Sequence, residues 1–400
     1  MLLQNLVNSI FREGQIVVIA PDGKAYGANG ARAEDCPLVV RIVDKKTAWR
    51  IMRHPELAVG EAYTDGGFVV ERGAIYDFLA LATRNGKNVK PHGWRDIKHR
   101  NPRKASRRNV AHHYDLSGEL YRLFLDADRQ YSCAYFARPD MTLEEAQDAK
   151  KRHIAAKLLL EPGQRVLEIG AGWGGLGITL AEDYGVDVSG VTLSTEQLTE
   201  SRARAAKKNL TSRVRFDLRD YRDLQGTFDR VVSVGMFEHV GAAQYQIFFD
   251  TIHDRLAKDG VALLHTIGNF HGPGRNNPWI EKYIFPGGIV PSLSQITQAA
   301  ERAGLIITDV EILRLHYAET LKAWRERFMA HQDEVRALYD ERFCRMWEFY
   351  LAGAEAAFRE GDLVVFQLQL AKDRHAVPLT RDYITDFDRA EAHAHRIAAE

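Results

Sequence analysis

Three glycines that follow an apolar run are spaced to hold a ligand. Gly170, Gly172 and Gly175 come after the strand-like run "RVLEI" and precede the helical pattern "LGITLAEDYG". Glycines at a strand-to-helix turn let a ligand approach the backbone N–H groups at the helix N-terminus. The spacing also fits the G-x-G-x-x-G pattern of dinucleotide sites, so the glycines alone leave the ligand class open.

The acidic residues near this turn favour one class of ligand. A dinucleotide site usually carries an acid about 20 residues on, which binds the ribose hydroxyl groups. Here the second strand ends in "VTLS", Val191 to Ser194, without an acid, whereas Glu168 lies within the first strand. A carboxylate there suits a ligand with an ammonium and a sulfonium better than a pyrophosphate. Accordingly, "VLEIGAGWG" resembles the first motif of S-adenosylmethionine-dependent methyltransferases.

Further polar side chains follow later strands. Glu238 and His239 come after "RVVSVGM", and His265 comes after "GVALL". The carboxyl ends of parallel strands are where open α/β sheets bind ligands, so these side chains are candidates for a site. Taken singly, Glu238 could instead cap the next helix, and His265 could be a hydrogen-bonded core histidine.

The elements that would position these residues alternate between helix and strand from about Met141 onward. Strands separated by helices of this length predict an α/β fold with a doubly wound, mostly parallel sheet. The alternating run "DLVVFQLQLAK" predicts a late edge strand. Residues 1–88 mix short apolar runs with helical patterns, which predicts a smaller N-terminal α+β domain. The domain prediction is therefore 1–88, a linker at 89–110, and a catalytic domain at 111–400.

The predicted linker is strongly basic although the chain has a formal net charge of +0. Between Lys90 and Arg108 the sequence contains one acidic residue, Asp96, and eight basic residues. The basic residues are Lys90, Arg95, Lys98, Arg100, Arg103, Lys104, Arg107 and Arg108. A solvated linker is one interpretation. The other is attraction to an anionic membrane surface, at roughly 1 kcal/mol per basic residue. Nucleic acid is disfavoured as a partner of this segment, because no nucleic-acid-binding motif and no stacking aromatic residues accompany the charges.

The composition excludes several classes of protein. Cys36, Cys133 and Cys344 are odd in number and widely spaced, which argues against a disulfide framework and a zinc site and fits a reducing cytoplasm. No apolar run reaches the ~18 residues that a membrane-spanning helix needs. The N-terminal residues "MLLQNLVNSIFREGQ" predict an amphipathic helix rather than a signal peptide. No metal site is expected.

Several segments together resemble one family, the cyclopropane-fatty-acyl-phospholipid synthases. The resemblance runs from about Ala111 to the C-terminus and includes "AHHYDLSGELYRLFLD", "YSCAYF", "LEEAQDAK", "GVTLSTEQ", "DYRDL", "MFEHVG", "LLHTIG" and "YIFPGG". It implies transfer of a methylene from S-adenosylmethionine to the cis double bond of a phospholipid acyl chain, which gives a cyclopropane ring.

The resemblance also implies the residues of a cofactor site. The implied set comprises Tyr131, Ser132, Gly170, Gly172, Gly174, Thr192, Leu193, Gln197, Tyr221 and Arg222. Gln197 would supply a polar contact where a dinucleotide enzyme uses its acid, and Tyr221 and Arg222 would lie beside the adenine.

For catalysis the resemblance implies a bound bicarbonate as the base. Its holders would be Cys133, Glu238, His265, the backbone of Ile267, and Tyr317. His265 and Tyr317 are able to donate hydrogen bonds to an oxyanion, and Glu238 is able to accept the bicarbonate hydroxyl proton. His239 is expected to lie behind these bicarbonate-binding residues rather than to contact the bicarbonate itself. Many relatives carry a cysteine where this chain has Ala354, so a covalent role for a thiol there is not expected.

Residues 268–292 interrupt the sheet pattern with an unusually aromatic excursion. Its apolar members are predicted to wall an acyl channel, with simple packing on the core as the alternative: Phe270, Trp279, Ile280, Tyr283, Ile284 and Phe285. The expected partners are an unsaturated phospholipid and an anionic membrane surface, with peripheral association at the inner face of the membrane, and a homodimer is possible.

Three alternatives remain beside this prediction. A related enzyme on the same scaffold would make methyl-branched or methylene-bearing chains. A methyltransferase for a small soluble substrate is a second alternative, against which the apolar excursion and the basic linker speak. A lipid-binding protein without catalysis is a third.

Overall fold

The computed structural model describes residues 2–86, 117–274 and 276–389, which form two compact units. The first unit holds residues 2–86, 276–286 and 318–363, and the second holds 117–274, 287–317 and 364–389. The predicted linker 89–110 lies outside the described residues.

The secondary structure follows the predicted alternation of helix and strand. The helices are α1 (Leu2–Ile10), α2 (Lys45–Arg53), α3 (Pro55–Thr64), α4 (Ile75–Gly86), α5 (Gly118–Phe124), α6 (Leu143–Leu158), α7 (Gly175–Tyr184), α8 (Thr195–Lys207), α9 (Tyr245–Arg255), α10 (Pro278–Tyr283), α11 (Leu293–Arg302), α12 (His316–Ala330), α13 (Gln332–Leu338) and α14 (Glu341–Arg359). The strands are β1 (Val17–Ile19), β2 (Ala25–Gly27), β3 (Val39–Ile42), β4 (Phe68–Arg72), β5 (Arg165–Ile169), β6 (Asp187–Thr192), β7 (Val214–Leu218), β8 (Phe228–Val234), β9 (Leu256–Asn269), β10 (Ile306–Leu313) and β11 (Leu363–Ala371).

The second unit is built on a seven-stranded sheet in the order β10-β11-β9-β8-β5-β6-β7. The strands from β9 to β7 in this order pair in parallel, and β10 runs antiparallel to β11. Successive residues point to opposite faces of a strand. Val231 packs in one apolar cluster with α9 and α11, and Val232 packs in another with α6, α7 and α8. Helices therefore cover both faces, which confirms the predicted doubly wound α/β fold.

The last strand is not at the edge, and the prediction of an edge position was wrong. Strand β11 lies between β10 and β9, and all of its residues after Leu363 are buried. The edge belongs to β10, whose residues are mostly half-buried. The alternation of polar and apolar residues in "DLVVFQLQLAK" suggested one solvent-exposed face. Its glutamines, Gln367 and Gln369, are instead buried and have hydrogen-bond partners.

The first unit contains the smaller α+β structure that the N-terminal sequence predicts. Its four strands lie in the order β2-β1-β3-β4, with β1 parallel to β3 and the other pairs antiparallel. The domain bounds drawn from the sequence placed residues 276–286 and 318–363 with the catalytic domain. The structure groups them with the first unit instead, because α14 packs against α3 and α4, and α10 packs against α3.

Two kinds of feature are absent from the described ranges. None of their helices combines the length and the apolar composition needed to cross a membrane. In the same ranges no group of three or more His, Cys, Asp or Glu side chains is arranged to hold a metal ion.

Candidate active site

A pocket opens at the carboxyl ends of β5, β6 and β8. Strand β5 is flanked by β6 on one side and by β8 on the other, so the chain order reverses there. The helices that follow such strands diverge and leave a crevice for a ligand. Nine of the predicted cofactor residues line this pocket: Tyr131, Ser132, Gly170, Gly172, Thr192, Leu193, Gln197, Tyr221 and Arg222.

Gly174, the tenth predicted residue, is closely packed by neighbouring side chains, and its contact with a cofactor stays a prediction. It precedes α7 with φ 81°, and a Cβ there would lie 2.7 Å from the Cβ of Ser201 and 2.9 Å from Cζ of Phe216. A side chain at Gly172, by contrast, would meet no atom within 4 Å. The backbone at Gly172 therefore borders open space, as close approach by a ligand requires.

Glu168 places a carboxyl group in the wall of this pocket. It is 4% exposed, and its Oε2 has no hydrogen-bond partner among the described residues. Burial raises the pKa of Glu168 to about 8. The backbone of Gly177 partly stabilises this carboxyl, but a buried carboxyl oxygen without a partner is costly unless a ligand compensates it. The residue therefore fits the ammonium group of S-adenosylmethionine.

Helix α6 holds the segment that carries Ser132. The Lys150 ammonium is fully buried and donates to Oε1 of Gln130 at 2.7 Å and to Oγ of Ser132 at 2.9 Å. The Gln147 amide donates to the carbonyl of Ser132 at 3.0 Å. Because lysine only donates, the Ser132 hydroxyl hydrogen is directed elsewhere. Both α6 residues lie in the "LEEAQDAK" segment, but the sequence analysis assigned them no role.

Two further pairs orient polar groups of the pocket. The Thr192 hydroxyl donates to Oε1 of Gln197 at 2.9 Å, so the Gln197 amide nitrogen is the group that can donate to a ligand. The Arg222 guanidinium is paired with both oxygens of Asp220, at 2.8 and 2.6 Å. Asp220 also lines the pocket, and the sequence analysis missed it.

The Glu238 carboxylate is held by the backbone of Ile267, with the Thr266 side chain also acting to stabilise its charged form. Its Oε1 accepts a hydrogen bond from the N–H of Ile267 at 2.6 Å, and its buried Oε2 has no partner among the described residues. Burial raises the pKa of Glu238 above its usual range. The structure thus brings together two of the five predicted catalytic residues, Glu238 and Ile267.

His239 lies closer to the cofactor pocket than expected. Its side chain lines the pocket, and burial lowers its pKa to about 4. The imidazole is therefore neutral near pH 7. A position behind the catalytic set was expected for His239, whereas the structure puts it in the pocket wall, because Glu238 and His239 share one tight turn, Phe237–His239.

The other predicted catalytic residues are buried in the second unit. His265 is 2% exposed and lies on β9. Cys133 is fully buried, and its Sγ lies 3.3 Å from the carbonyl oxygen of Ala134. Tyr317 is 8% exposed and lies in the first turn of α12. Their grouping around one anion remains a prediction.

The aromatic residues of the predicted channel have packing partners. In the first unit, the ring of Trp279 meets that of Phe349 at 4.8 Å between centroids, and the Tyr283 hydroxyl donates to Glu61 at 2.9 Å. In the second unit, Phe270 is 56% exposed. The channel stays a prediction, and packing accounts for Trp279 and Tyr283 within their own unit.

Comparison with known proteins places the chain in a family. Residues 101–368 match the family model described as mycolic acid cyclopropane synthetase. The chain is 39% identical over 345 residues to the cyclopropane-fatty-acyl-phospholipid synthase of Escherichia coli K12, covering 84% of this chain and 88% of that protein. It is 38% identical over 381 residues to the tuberculostearic acid methyltransferase UfaA1 of Mycobacterium tuberculosis, covering 89% and 87%.

A solved structure agrees with these sequence relatives. The mycolic acid cyclopropane synthase CmaA1, complexed with SAH and CTAB, superposes with a TM-score of 0.63 at 38% identity, covering 66% of this chain and 97% of that one. The glycine turn, the pocket at the switch point of the sheet and these similarities lead to the same conclusion. The chain belongs to the cyclopropane synthase family of S-adenosylmethionine-dependent methyltransferases.

Proposed function

We propose that this enzyme transfers a methylene from S-adenosylmethionine to the cis double bond of an unsaturated phospholipid acyl chain and thereby forms a cyclopropane ring. The name of the E. coli relative supports phospholipid as the substrate class. The observation that carries the proposal is the carboxylate of Glu238, which is fixed by Ile267 and lies one residue from the pocket-lining His239. Its Oε2 has no hydrogen-bond partner among the residues that the structure describes.

The proposed reaction needs positioning and one base. When bound, S-adenosylmethionine supplies an electrophilic methyl carbon. The alkene π electrons form a bond to that carbon as its bond to sulfur breaks, and the acyl chain becomes a carbocation. A base removes one proton from the new methyl group, and the released electron pair closes the ring. An alkene is a weak nucleophile, so alignment in a dry pocket carries much of the catalysis.

We propose bicarbonate as that base. Glu238, His265, Tyr317 and Cys133 are the residues whose side chains would hold it, and the backbone of Ile267 would contribute by fixing Glu238 through its N–H. The residues fit an oxyanion with a hydroxyl group, because Glu238 Oε2 is a buried acceptor without a partner among the described residues. His265 and Tyr317 would donate to the anion, and negative charge near the acyl chain would also stabilise a carbocation.

A second candidate product is a methyl-branched or methylene-bearing chain. UfaA1, which covers 89% of this chain in alignment, is named a tuberculostearic acid methyltransferase. The same residues would position the alkene and the methyl donor in both reactions, so the scaffold is compatible with either fate of the carbocation.

Mass spectrometry of acyl chains tests the proposal. Purified protein is incubated with S-adenosylmethionine and vesicles of a cis-monounsaturated anionic phospholipid, with and without bicarbonate. A gain of one CH₂ with loss of the alkene, greater when bicarbonate is present, is the expected result. A gain of CH₂ with a retained alkene would favour the second product. Unchanged acyl chains with bound cofactor would contradict a phospholipid substrate.

We further propose that helix α2 of the first unit docks on an anionic membrane surface at the inner face of the membrane. The outward side of α2 carries Trp49 and Met52, which are 54% and 55% exposed. Lys45, Lys46 and Arg53 on the same helix are exposed as well. An apolar stripe with a tryptophan, flanked by basic residues, is typical of helices that lie in the membrane interface.

Loss of the α2 charges is expected to weaken binding to anionic vesicles about 30-fold. This follows from roughly 1 kcal/mol for each of the two lysines in Lys45→Gln/Lys46→Gln. Trp49→Ala/Met52→Ala is expected to weaken binding to anionic and neutral vesicles alike, because it removes apolar area. Vesicle co-sedimentation measures both effects, with Leu338→Ala as an exposed apolar control in the same unit. Unchanged vesicle binding in both double variants would contradict docking through α2.

A further inference from the structure

A chain of buried side chains lies behind His265. The amide nitrogen Nε2 of Gln367, on β11, lies 3.0 Å from Nδ1 of His265. The ammonium of Lys157, on α6, lies 2.8 Å from Oε1 of the same glutamine. Gln367 and Lys157 are fully buried, and His265 is 2% exposed. Water therefore does not compete for these three groups.

The donor properties of the three groups fix the direction of each hydrogen bond. A lysine ammonium only donates, so the oxygen of the Gln367 amide must face Lys157. The amide NH₂ then faces His265, and Nδ1 of His265 must accept. A neutral imidazole carries one ring proton, which this arrangement assigns to Nε2.

The surrounding charges keep His265 neutral. Burial and the positive charges of Lys150, Lys157 and His153 hold the pKa of His265 well below its usual range, while Glu311 acts in the opposite direction. Neutral imidazole has two tautomers, so the bond from Gln367 selects between them.

Lys157 is itself anchored. It forms an ion pair with Glu311, whose Oε2 also lies 2.7 Å from Nε2 of His153. The backbone carbonyl of Lys157 accepts from the Gln369 amide at 2.5 Å. Because these contacts hold Lys157 in place, a flip of the Gln367 amide would put its NH₂ against an ammonium. The amide orientation therefore has one low-energy solution.

We propose that Gln367, oriented by Lys157, is a positioning residue that fixes the tautomer of His265 with the proton on Nε2. The second ring nitrogen is then a permanent hydrogen-bond donor for an anion. The identity of the anion that accepts from this donor rests on the proposed function, whereas the assignment of the tautomer does not.

The variant Gln367→Glu is expected to favour the opposite tautomer of His265 with almost no change in side-chain volume. A carboxylate has no hydrogen to donate, and it is able to accept from both Lys157 and Nδ1 of His265. The proton of neutral His265 moves to Nδ1, and the added negative charge raises the pKa of His265. At low pH the imidazolium still donates from Nε2, whereas at high pH Nε2 loses its hydrogen.

NMR of full-length protein labelled with ¹⁵N-histidine tests the tautomer directly. The His265 signals are assigned by their absence in His265→Gln. The expected result for the wild type is a protonated Nε2 and an unprotonated Nδ1 at pH 7, and Gln367→Glu is expected to show a protonated Nδ1. A protonated Nδ1 in the neutral wild-type ring would overturn the proposal. The wild-type spectrum tests the proposal even if Gln367→Glu fails to fold.

Kinetics supply the second test. Gln367→Glu is expected to lower kcat at high pH by roughly 10²-fold, in the range known for lost orienting partners and wrong tautomers, and to recover toward low pH. A merely structural role would lower activity equally at all pH values, and that outcome, or a wild-type profile, would overturn the proposal. Gln367→Met is also expected to lower kcat strongly, because methionine neither accepts from Lys157 nor donates to His265. A wild-type ring with the expected tautomer but no turnover of phospholipid would refute the proposed function and leave the tautomer assignment intact.

Discussion

The variant Glu238→Gln is expected to lower kcat for methylene transfer by roughly 10²- to 10⁴-fold, the range for loss of a group that assists proton transfer. Glutamine keeps the volume and an oxygen that is able to accept from Ile267 N–H, which holds Glu238 at 2.6 Å. It removes the negative charge and the second acceptor, Oε2. The affinity for S-adenosylmethionine is expected to stay within a few-fold of wild type, because Glu238 does not line the cofactor pocket.

Acyl-chain mass spectrometry measures the turnover of this variant, and calorimetry measures its cofactor affinity. Glu348→Gln is a matched control, because its half-buried carboxyl also accepts one hydrogen bond, from Tyr63 at 2.9 Å, and burial also raises its pKa. A kcat near the wild-type value, or an equal loss of cofactor affinity, would contradict the role of Glu238 in proton removal.

The second large effect is expected at Glu168. Glu168→Gln is expected to weaken S-adenosylmethionine binding roughly 10- to 100-fold, because a hydrogen bond to a charged group contributes about 1.5–3 kcal/mol. Burial raises the pKa of Glu168 to about 8, so the free protein holds a proton there at pH 7. A cationic ligand favours the ionised carboxylate and expels that proton. Wild-type affinity should therefore rise with pH up to about 8 and then level off.

The same residue makes the stability of the ligand-free protein depend on pH. The folded state favours the protonated carboxyl, since its pKa of about 8 exceeds the ordinary glutamate pKa of 4.5. This contribution to stability is complete below pH 4.5 and is lost as pH rises through about 8. Glu168→Gln removes the dependence and is expected to raise the melting temperature above pH 8.

Calorimetry in buffers of different ionisation enthalpy counts the protons released on binding. Wild-type protein should release close to one proton from Glu168 at pH 7, and Glu168→Gln should release none from this group. Glu182→Gln removes an exposed carboxyl on α7, the helix that follows the glycine turn, and as the control it should leave the proton count unchanged. A pH-independent affinity in the wild type would show that Glu168 does not face the cationic part of the cofactor.

Local sequence was sufficient for the scaffold and for most of the cofactor pocket. The run "VLEIGAGWGG" forms strand β5, the glycine turn and the start of α7, because strand propensity and glycine conformations act over neighbouring residues. Thr192 and Gln197, which the family resemblance implied, lie on the next strand and helix and also line the pocket. The spacing of residues in the sequence did not reveal that the His239 side chain lines the pocket, or that the Gly174 backbone is packed closely against Ser201 and Phe216.

Tertiary structure alone decided the groups that act behind the site. Lys157, His265 and Gln367 are far apart in the chain, and the pairs that touch are separated by 102 and 210 residues. Their meeting depends on β11 lying between β9 and β10, whereas the alternating sequence predicted an edge strand. Likewise, residues 318–363 pack with the N-terminal unit through the side chains that α14 offers to α3 and α4. Sequence periodicity determines which face of an element is buried, but the partner across that face is chosen by packing of the whole chain.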